Sequence, residues 1–231
     1  MKTVNQPVVA ASTLVAAIVL LLASSLASAQ AQTLSRWHSL EDSGWEEKSF
    51  EGNTVYQARS DDSGSYLSAR ADSSASALFL KRDIDVSKTP VLSWRWRVQA
   101  FNGARDHLQK AEDDFPARLY VVVREGILPW QTLALNYVWA DAMLDRESWK
   151  NPFTDKAIMV PVARGREGVG EWRSHRVNIV EDFKRYFGKD ITRISGIALM
   201  TDADNFGGVS AADYGEITIS APDTVTKLLL F

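Results

Sequence analysis

The chain has 231 residues, a formal net charge of −3, 8 tryptophans and no cysteine. A weakly acidic chain lacks the basic footprint that nucleic-acid binding requires, and without cysteine there is neither a disulfide framework nor a thiol nucleophile. The 3 histidines, His38, His107 and His175, share no metal-ligand spacing, and no G-x-S-x-G elbow occurs, so zinc and serine-nucleophile chemistry have no motif to rest on.

In chain order, Val8 to Leu26 form one apolar run behind a short segment carrying Lys2, ending in Ala27-Ser28-Ala29-Gln30-Ala31. This is the layout of a secretory signal peptide cleaved after Ala29 or Ala31. An uncleaved anchor is the competing reading, because the run is nearly long enough to cross a bilayer. Residues 1–31 are therefore expected to be a leader, and 32–231 one exported domain, periplasmic or secreted, with no membrane span in the mature chain. Losing Lys2 leaves a net charge of about −4.

Short strands are expected at Trp45–Phe50, Thr54–Arg59, Tyr66–Arg70 and Ala77–Ile84, after an irregular entry over Ser35 to Gly44. Turn residues such as Glu51-Gly52-Asn53 and Ser60-Asp61-Asp62-Ser63-Gly64 separate them. In Val91–Val98 the residues Leu92, Trp94, Trp96 and Val98 share one face, and Ser93, Arg95 and Arg97 the other. A polar connection, Phe101 to Phe115, leads to Ala117–Val123, where Ala117, Leu119, Val121 and Val123 alternate with Arg118, Tyr120 and Val122. Thr132–Trp139 sets Leu133, Leu135, Tyr137 and Trp139 against Thr132, Ala134, Asn136 and Val138. Glu125 to Trp130 and Ala140 to Asp155 read as loops. Strands follow at Ala157–Ala163 and Trp172–Ile179, a short helix at Val180–Phe187, and strands at Ile191–Met200 and Tyr214–Ser220. Asp182 in the helix's first turn and Gly188 beyond its end are favourable terminal residues. The pattern predicts an all-β fold, an antiparallel two-sheet β-sandwich (jelly roll) with one short helix near 180–187; a closed β-barrel would present the same pattern.

Two constellations could carry function. Arg95, Arg97, Arg118, Tyr120 and Asn136 lie on the non-core faces of their strands. If those strands are neighbours, the surface could grip a carboxylated or hydroxylated sugar, with Trp149 or Trp130 from a loop stacking on the ring. The competing reading pairs Arg118 with Asp113 or Asp114 in a structural network. The second constellation is Asp202-Ala203-Asp204-Asn205 after a strand, a candidate structural calcium site. Against the calcium-loop pattern Gly207 and Asp213 fall at positions 6 and 12, but Phe206 spoils position 5, so this is no EF-hand. A turn satisfied by its own hydrogen bonds is the alternative.

Several segments resemble a known family: Leu-Ser-Trp-Arg-Trp at 92–96, Asp-Asp-Phe-Pro-Ala-Arg-Leu-Tyr at 113–120, Asn-Tyr-Val-Trp at 136–139, Asp-Phe-Lys-x-x-Phe-Gly at 182–188 and Met-Thr-Asp-Ala-Asp-Asn at 200–205. The family comprises exported bacterial proteins catalogued only as a domain of unknown function. The resemblance implies a β-sandwich similar to carbohydrate-binding modules and galactose-binding-like domains, and assigns no residue a role. The leading expectation is a protein that binds a carbohydrate or cell-envelope polymer without catalysis. The alternatives are a polysaccharide lyase or hydrolase using the same polar face, with Tyr120 as acid/base, and a structural or assembly protein of the envelope.

Overall fold

The computed structural model describes residues 31–100, 106–126 and 131–223. The leader up to residue 30, and Trp130, lie outside the described residues. No helix among the described residues is long and apolar enough to cross a membrane.

The chain forms a β-sandwich. A 6-stranded sheet runs β11 (Arg173–Asn178), β6 (Val91–Ala100), β13 (Val209–Ser220), β4 (Gly64–Asp72), β3 (Val55–Asp61), with β1 (Gln32–Thr33) also paired to β13. A 7-stranded sheet runs β2 (Glu46–Glu51), β5 (Ala75–Asp85), β12 (Arg193–Asp202), β7 (Arg118–Arg124), β8 (Thr132–Ala140), β10 (Thr154–Arg164), β9 (Trp149–Asn151). There is no closed barrel. Pairing is antiparallel except between β8 and β10, which are parallel. A parallel neighbour needs a long crossover, and residues 141–153, with β9 inside them, supply it.

The two-residue alternation explains which faces meet. Leu92, Trp94, Trp96 and Val98 of β6 pack against Leu119 and Val121 of β7 and Leu135, Tyr137 and Trp139 of β8 in one buried cluster. Trp94 lies 5.3 Å from Tyr137 and 5.5 Å from Trp96, ring centre to ring centre. These large aromatic surfaces replace the staples that a cysteine-free chain lacks. The helix, α1 (Ile179–Phe187), buries Ile179 and Phe183 in this core. Asn178 caps it by accepting from the N–H groups of Val180 and Glu181, and Gly188 ends it at φ +67°, a left-handed cap. Tyr137 donates to Asp182 at 2.6 Å, which ties α1 to the centre of the larger sheet.

Two expectations need revision. The loop expected over Ala140 to Asp155 contains β9, held at the sheet edge by its pairing with β10. The loop expected over Thr201 to Asp213 is shorter, because β13 starts at Val209; Asp213 is therefore a strand residue and not a loop ligand.

Gly196 shows how tightly the larger sheet is built. At φ +156° it sits at an irregularity in the β5–β12 register, and a Cβ there would come within 2.4 Å of the Leu80 carbonyl oxygen. Backbone cannot yield as a side chain can. Gly196→Ala is expected to destabilise the fold by about 2 kcal/mol or more, read as a lowered denaturant midpoint. Trp96→Ala, which empties a fully buried site, is expected to cost about 3–5 kcal/mol in the same measurement.

Candidate functional site

Because both sheets turn their apolar faces inward, their polar faces point in opposite directions. The five strand residues expected to form one surface therefore divide. Arg95 and Arg97 lie on the outside of the 6-stranded sheet, while Arg118, Tyr120 and Asn136 lie on the outside of the 7-stranded one.

The second group is not an open surface. Phe115, Val138, Ala140, Leu144, Trp149 and Met159 form a second apolar cluster over that side of the larger sheet. Phe115 stacks on His107 at 4.1 Å, and Trp149 stacks beyond it. Arg118 is 3% exposed, Asn136 1% and Trp149 6%, so none of the three faces a cleft. Tyr120 lies directly across from Asn136 in the β7–β8 register. Burial pushes its hydroxyl up to about 12. Tyr120 is half-buried, and its hydroxyl stays protonated near neutral pH.

Arg118 is the centre of a buried ionic network. Its Nε donates to Asp202 Oδ1 at 3.0 Å, Nη2 donates to Asp202 Oδ2 and to the Asp113 carbonyl, and Nη1 lies 3.3 Å from Asp113 Oδ2. Its guanidinium also lies 4.3 Å from the Phe115 ring. The paired reading of Arg118 is the one the geometry realises. Asp202 Oδ1 additionally accepts from the Phe115 N–H. Asp114 accepts from the backbone N–H groups of Asn205 and Phe206, so the 113–118 segment is fixed to the loop after β12.

The candidate metal residues partly converge. Asp114, Asp202 and Asp204 each place an oxygen within 4.8 Å of the others. Asn205 turns its amide nitrogen toward Asp114 and Asp204, so it would have to rotate to offer oxygen. Much of the carboxylate capacity is already used by N–H donors, as in the turn reading. The charge balance is uneven, however, with four carboxylates (Asp113, Asp114, Asp202, Asp204) around one guanidinium. Burial and the neighbouring carboxylates Asp113 and Asp114 outweigh Arg118 and raise Asp202 to about 8; desolvation also raises Asp113 and Asp204.

The outside of the 6-stranded sheet is open. Trp172, just before β11, meets Tyr66 edge-on at 5.7 Å, with the guanidinia of Arg95 and Arg97 at 4.5 and 4.7 Å from its ring centre. Two depressions of about 440 and 580 Å³ adjoin there and share Ser63, Arg95 and Glu216. The first is also lined by Thr33, Ser35, Ser65 and His38, the second by Ser93, Ser174, His175 and Thr218. Burial between Trp94 and Trp96 holds His175 down at about 4, hence neutral. Of this surface, sequence reasoning singled out Arg95 and Arg97. Trp172 opens the strand expected over Trp172–Ile179, and a tryptophan at a strand's first residue gives no sign of which face it takes.

Fold and surface thus define a β-sandwich protein whose 6-stranded sheet has an open polar outer face. The chain belongs to the family described as "Protein of unknown function (DUF3047)", whose model matches residues 43–218. No curated protein matches it in sequence. Among solved structures it is similar to the Endo-D glycoside hydrolase domain from Streptococcus pneumoniae R6, at 9% identity and a TM-score of 0.40, over 78% of this chain and 22% of that one. It is also similar to the mannan-recognising carbohydrate-binding module TmCBM27, at 9% and 0.38, over 84% and 97% of the two chains. The Lotus tetragonolobus seed lectin gives 9% and 0.40, over 84% and 98%. Likenesses this distant leave function to be read from the chain's own side chains.

The buried network makes two predictions. Arg118→Met leaves Asp202 and Asp113 without their cationic partner and is expected to cost about 3–5 kcal/mol in chemical denaturation. The raised Asp202 also gives a sign for pH. Between its ordinary value near 4 and its folded value of about 8, the native state holds a proton that the unfolded chain has released. Its contribution is therefore complete below about pH 4 and lost as pH rises through about 8. Melting temperature is expected to fall from pH 5 to 9, and Asp202→Asn to flatten that slope.

Proposed function

We propose that the protein is an exported, non-catalytic module that binds a carbohydrate or similar cell-envelope polymer on the outside of the 6-stranded sheet, around Arg95. The observation that carries this reading is the pair of adjoining depressions, lined by seven serine and threonine residues beside a guanidinium. Dense hydroxyl lining on an open sheet suits a polyhydroxylated chain that passes across it, whereas an assembly contact calls for an apolar patch. The site is therefore moved from the Arg118–Tyr120–Asn136 face, which the loops cover, to the Arg95 face.

The lining supports binding without hydrolysis. Among the described residues Glu216 is the only carboxylate bordering the two depressions, and glycoside hydrolysis ordinarily uses a pair. The test is a pull-down on insoluble polysaccharides and a glycan array. Trp172→Ala, which removes the ring supporting both guanidinia, is expected to weaken binding about tenfold or more while the protein stays folded by circular dichroism. A folded Trp172→Ala protein that binds like the parent removes the site. Reducing ends or ultraviolet-absorbing unsaturated product, on long incubation with the bound polymer, would replace this reading with the hydrolase or lyase one.

A structural calcium at Asp202 and Asp204 is the second element of the proposal, with Asp114 joining them and Asn205 contributing only after its amide rotates. The excess of buried negative charge supports it, since a divalent ion would take the place of the proton that Asp202 otherwise holds. Calcium at millimolar concentration is expected to raise the melting temperature at pH 8, and Asp204→Asn to abolish the rise. A melting temperature indifferent to calcium and chelator removes the ion from the proposal.

A further inference from the structure

Two guanidinia lie against Trp172, and only one is neutralised. Arg97 donates to Asp213 through Nε and Nη2 at 3.0 and 2.8 Å, and Asp61 stands 3.5 Å away. Gln99 completes the shell of Asp213 at 2.7 Å. Arg95 donates to the Ser63 carbonyl and rests on the indole, and no carboxylate among the described residues lies within salt-bridge distance of it. The segments outside the described residues contain no aspartate or glutamate side chain that could supply one.

Arg95 is also held in place. Its stem crosses β13 over Gly215, where a Cβ would stand 2.5 Å from Cγ and 2.6 Å from Nε. Only a glycine leaves that path clear. The guanidinium is thus fixed from three sides, by the Gly215 backbone, the Trp172 ring and the Ser63 carbonyl. It lies on the seam between the two depressions. Arg36 borders the first depression; Arg176 borders the second but is already paired with Asp223 at 3.0 Å. Because both guanidinia lie on the indole, this face presents a positioned charge more than a bare stacking platform.

We propose that the Arg95 seam is a carboxylate subsite and that the polymer bound here is an acidic glycan of the uronate type. The inference rests on the binding role given above. The carboxylate is planar and matches the fork of N–H donors that Arg95 has left over, and the surrounding hydroxyls take the sugar's own hydroxyl groups. A guanidinium fixed in this way loses little side-chain freedom on binding, so the pairing favours affinity as well as selectivity.

The experiment compares polygalacturonate with the same polymer fully methyl-esterified, using the purified protein in calorimetry at fixed ionic strength, with dextran sulfate as a third ligand. Polygalacturonate is expected to bind at least about tenfold more tightly than its ester, the size of one charge-assisted contact. Arg95→Gln is expected to abolish that preference with an unchanged melting curve. Arg82→Gln, in a basic depression on the other sheet, is expected to leave it intact. Equal binding of acid and ester overturns the carboxylate subsite and leaves the binding role standing. Binding of dextran sulfate alone, or a preference that survives Arg95→Gln, also overturns the subsite. Failure of all three polymers, and of every glycan on the array, overturns both.

Discussion

The pairing of Arg118 with Asp202 is the constraint on which one half of this structure depends. It joins the first residue of β7 to the last residue of β12, two neighbouring strands of the larger sheet, from the outside of that sheet. Around it the chain had to bring cover, because a guanidinium and carboxylates removed from water need every donor and acceptor matched. The carbonyl and carboxylate of Asp113, the amide of Asn151 and the stacked rings of Phe115, His107 and Trp149 supply that cover. Asp114 completes the arrangement by accepting from the loop after β12, so two long connections and two strands close on one buried centre.

That centre is not electrically complete. One cation faces four carboxylates; Asp202, raised by burial and by its neighbours, meets the excess by holding a proton, and the calcium proposed above would take that proton's place. The contrast with the other sheet is instructive. On the outside of the 6-stranded sheet Arg97 has its carboxylates and Arg95 has none, so the deficit there is of negative charge and in a place that solvent and ligands can reach. A buried imbalance is met from within the molecule or by an ion, whereas an open one can be met by a partner.

Several features of this fold were legible in the residues. The strict alternation in 91–98, 117–123 and 132–139 identified the inner faces, because only one side of each strand is uniformly apolar and water enforces the choice. Asp182 in the first turn and Gly188 past the end marked the ends of α1 by side-chain and backbone chemistry alone, whereas the cap Asn178 was visible only in the structure. The motif segments at 113–120 and 200–205 were recognisable as belonging together by resemblance, and the structure supplies the reason: Asp114 bonds to Asn205, and Arg118 to Asp202. The strand β9 was missed, since three residues carry no periodicity, and its pairing with β10 depends on a crossover that local sequence does not encode.

By itself, then, the sequence determined the inner side of the strands at 91–98, 117–123 and 132–139, the all-β class and the inventory of charges, all of which follow from local period and composition; the choice of an open sandwich over a closed barrel needed the tertiary structure. Which outer face stays open was decided only by the tertiary structure. Arg95 and Arg118 look alike in sequence, each an arginine opposite an apolar strand face. One is buried because two distant loops fold across it and carry Asp113 and Asp202 to its side. The other stays at the surface because β13 passes beneath it with a glycine, and no carboxylate among the described residues comes within salt-bridge distance of it. Long-range chain placement separates a buried ion pair from a solvent-facing cation, and no local pattern records that placement.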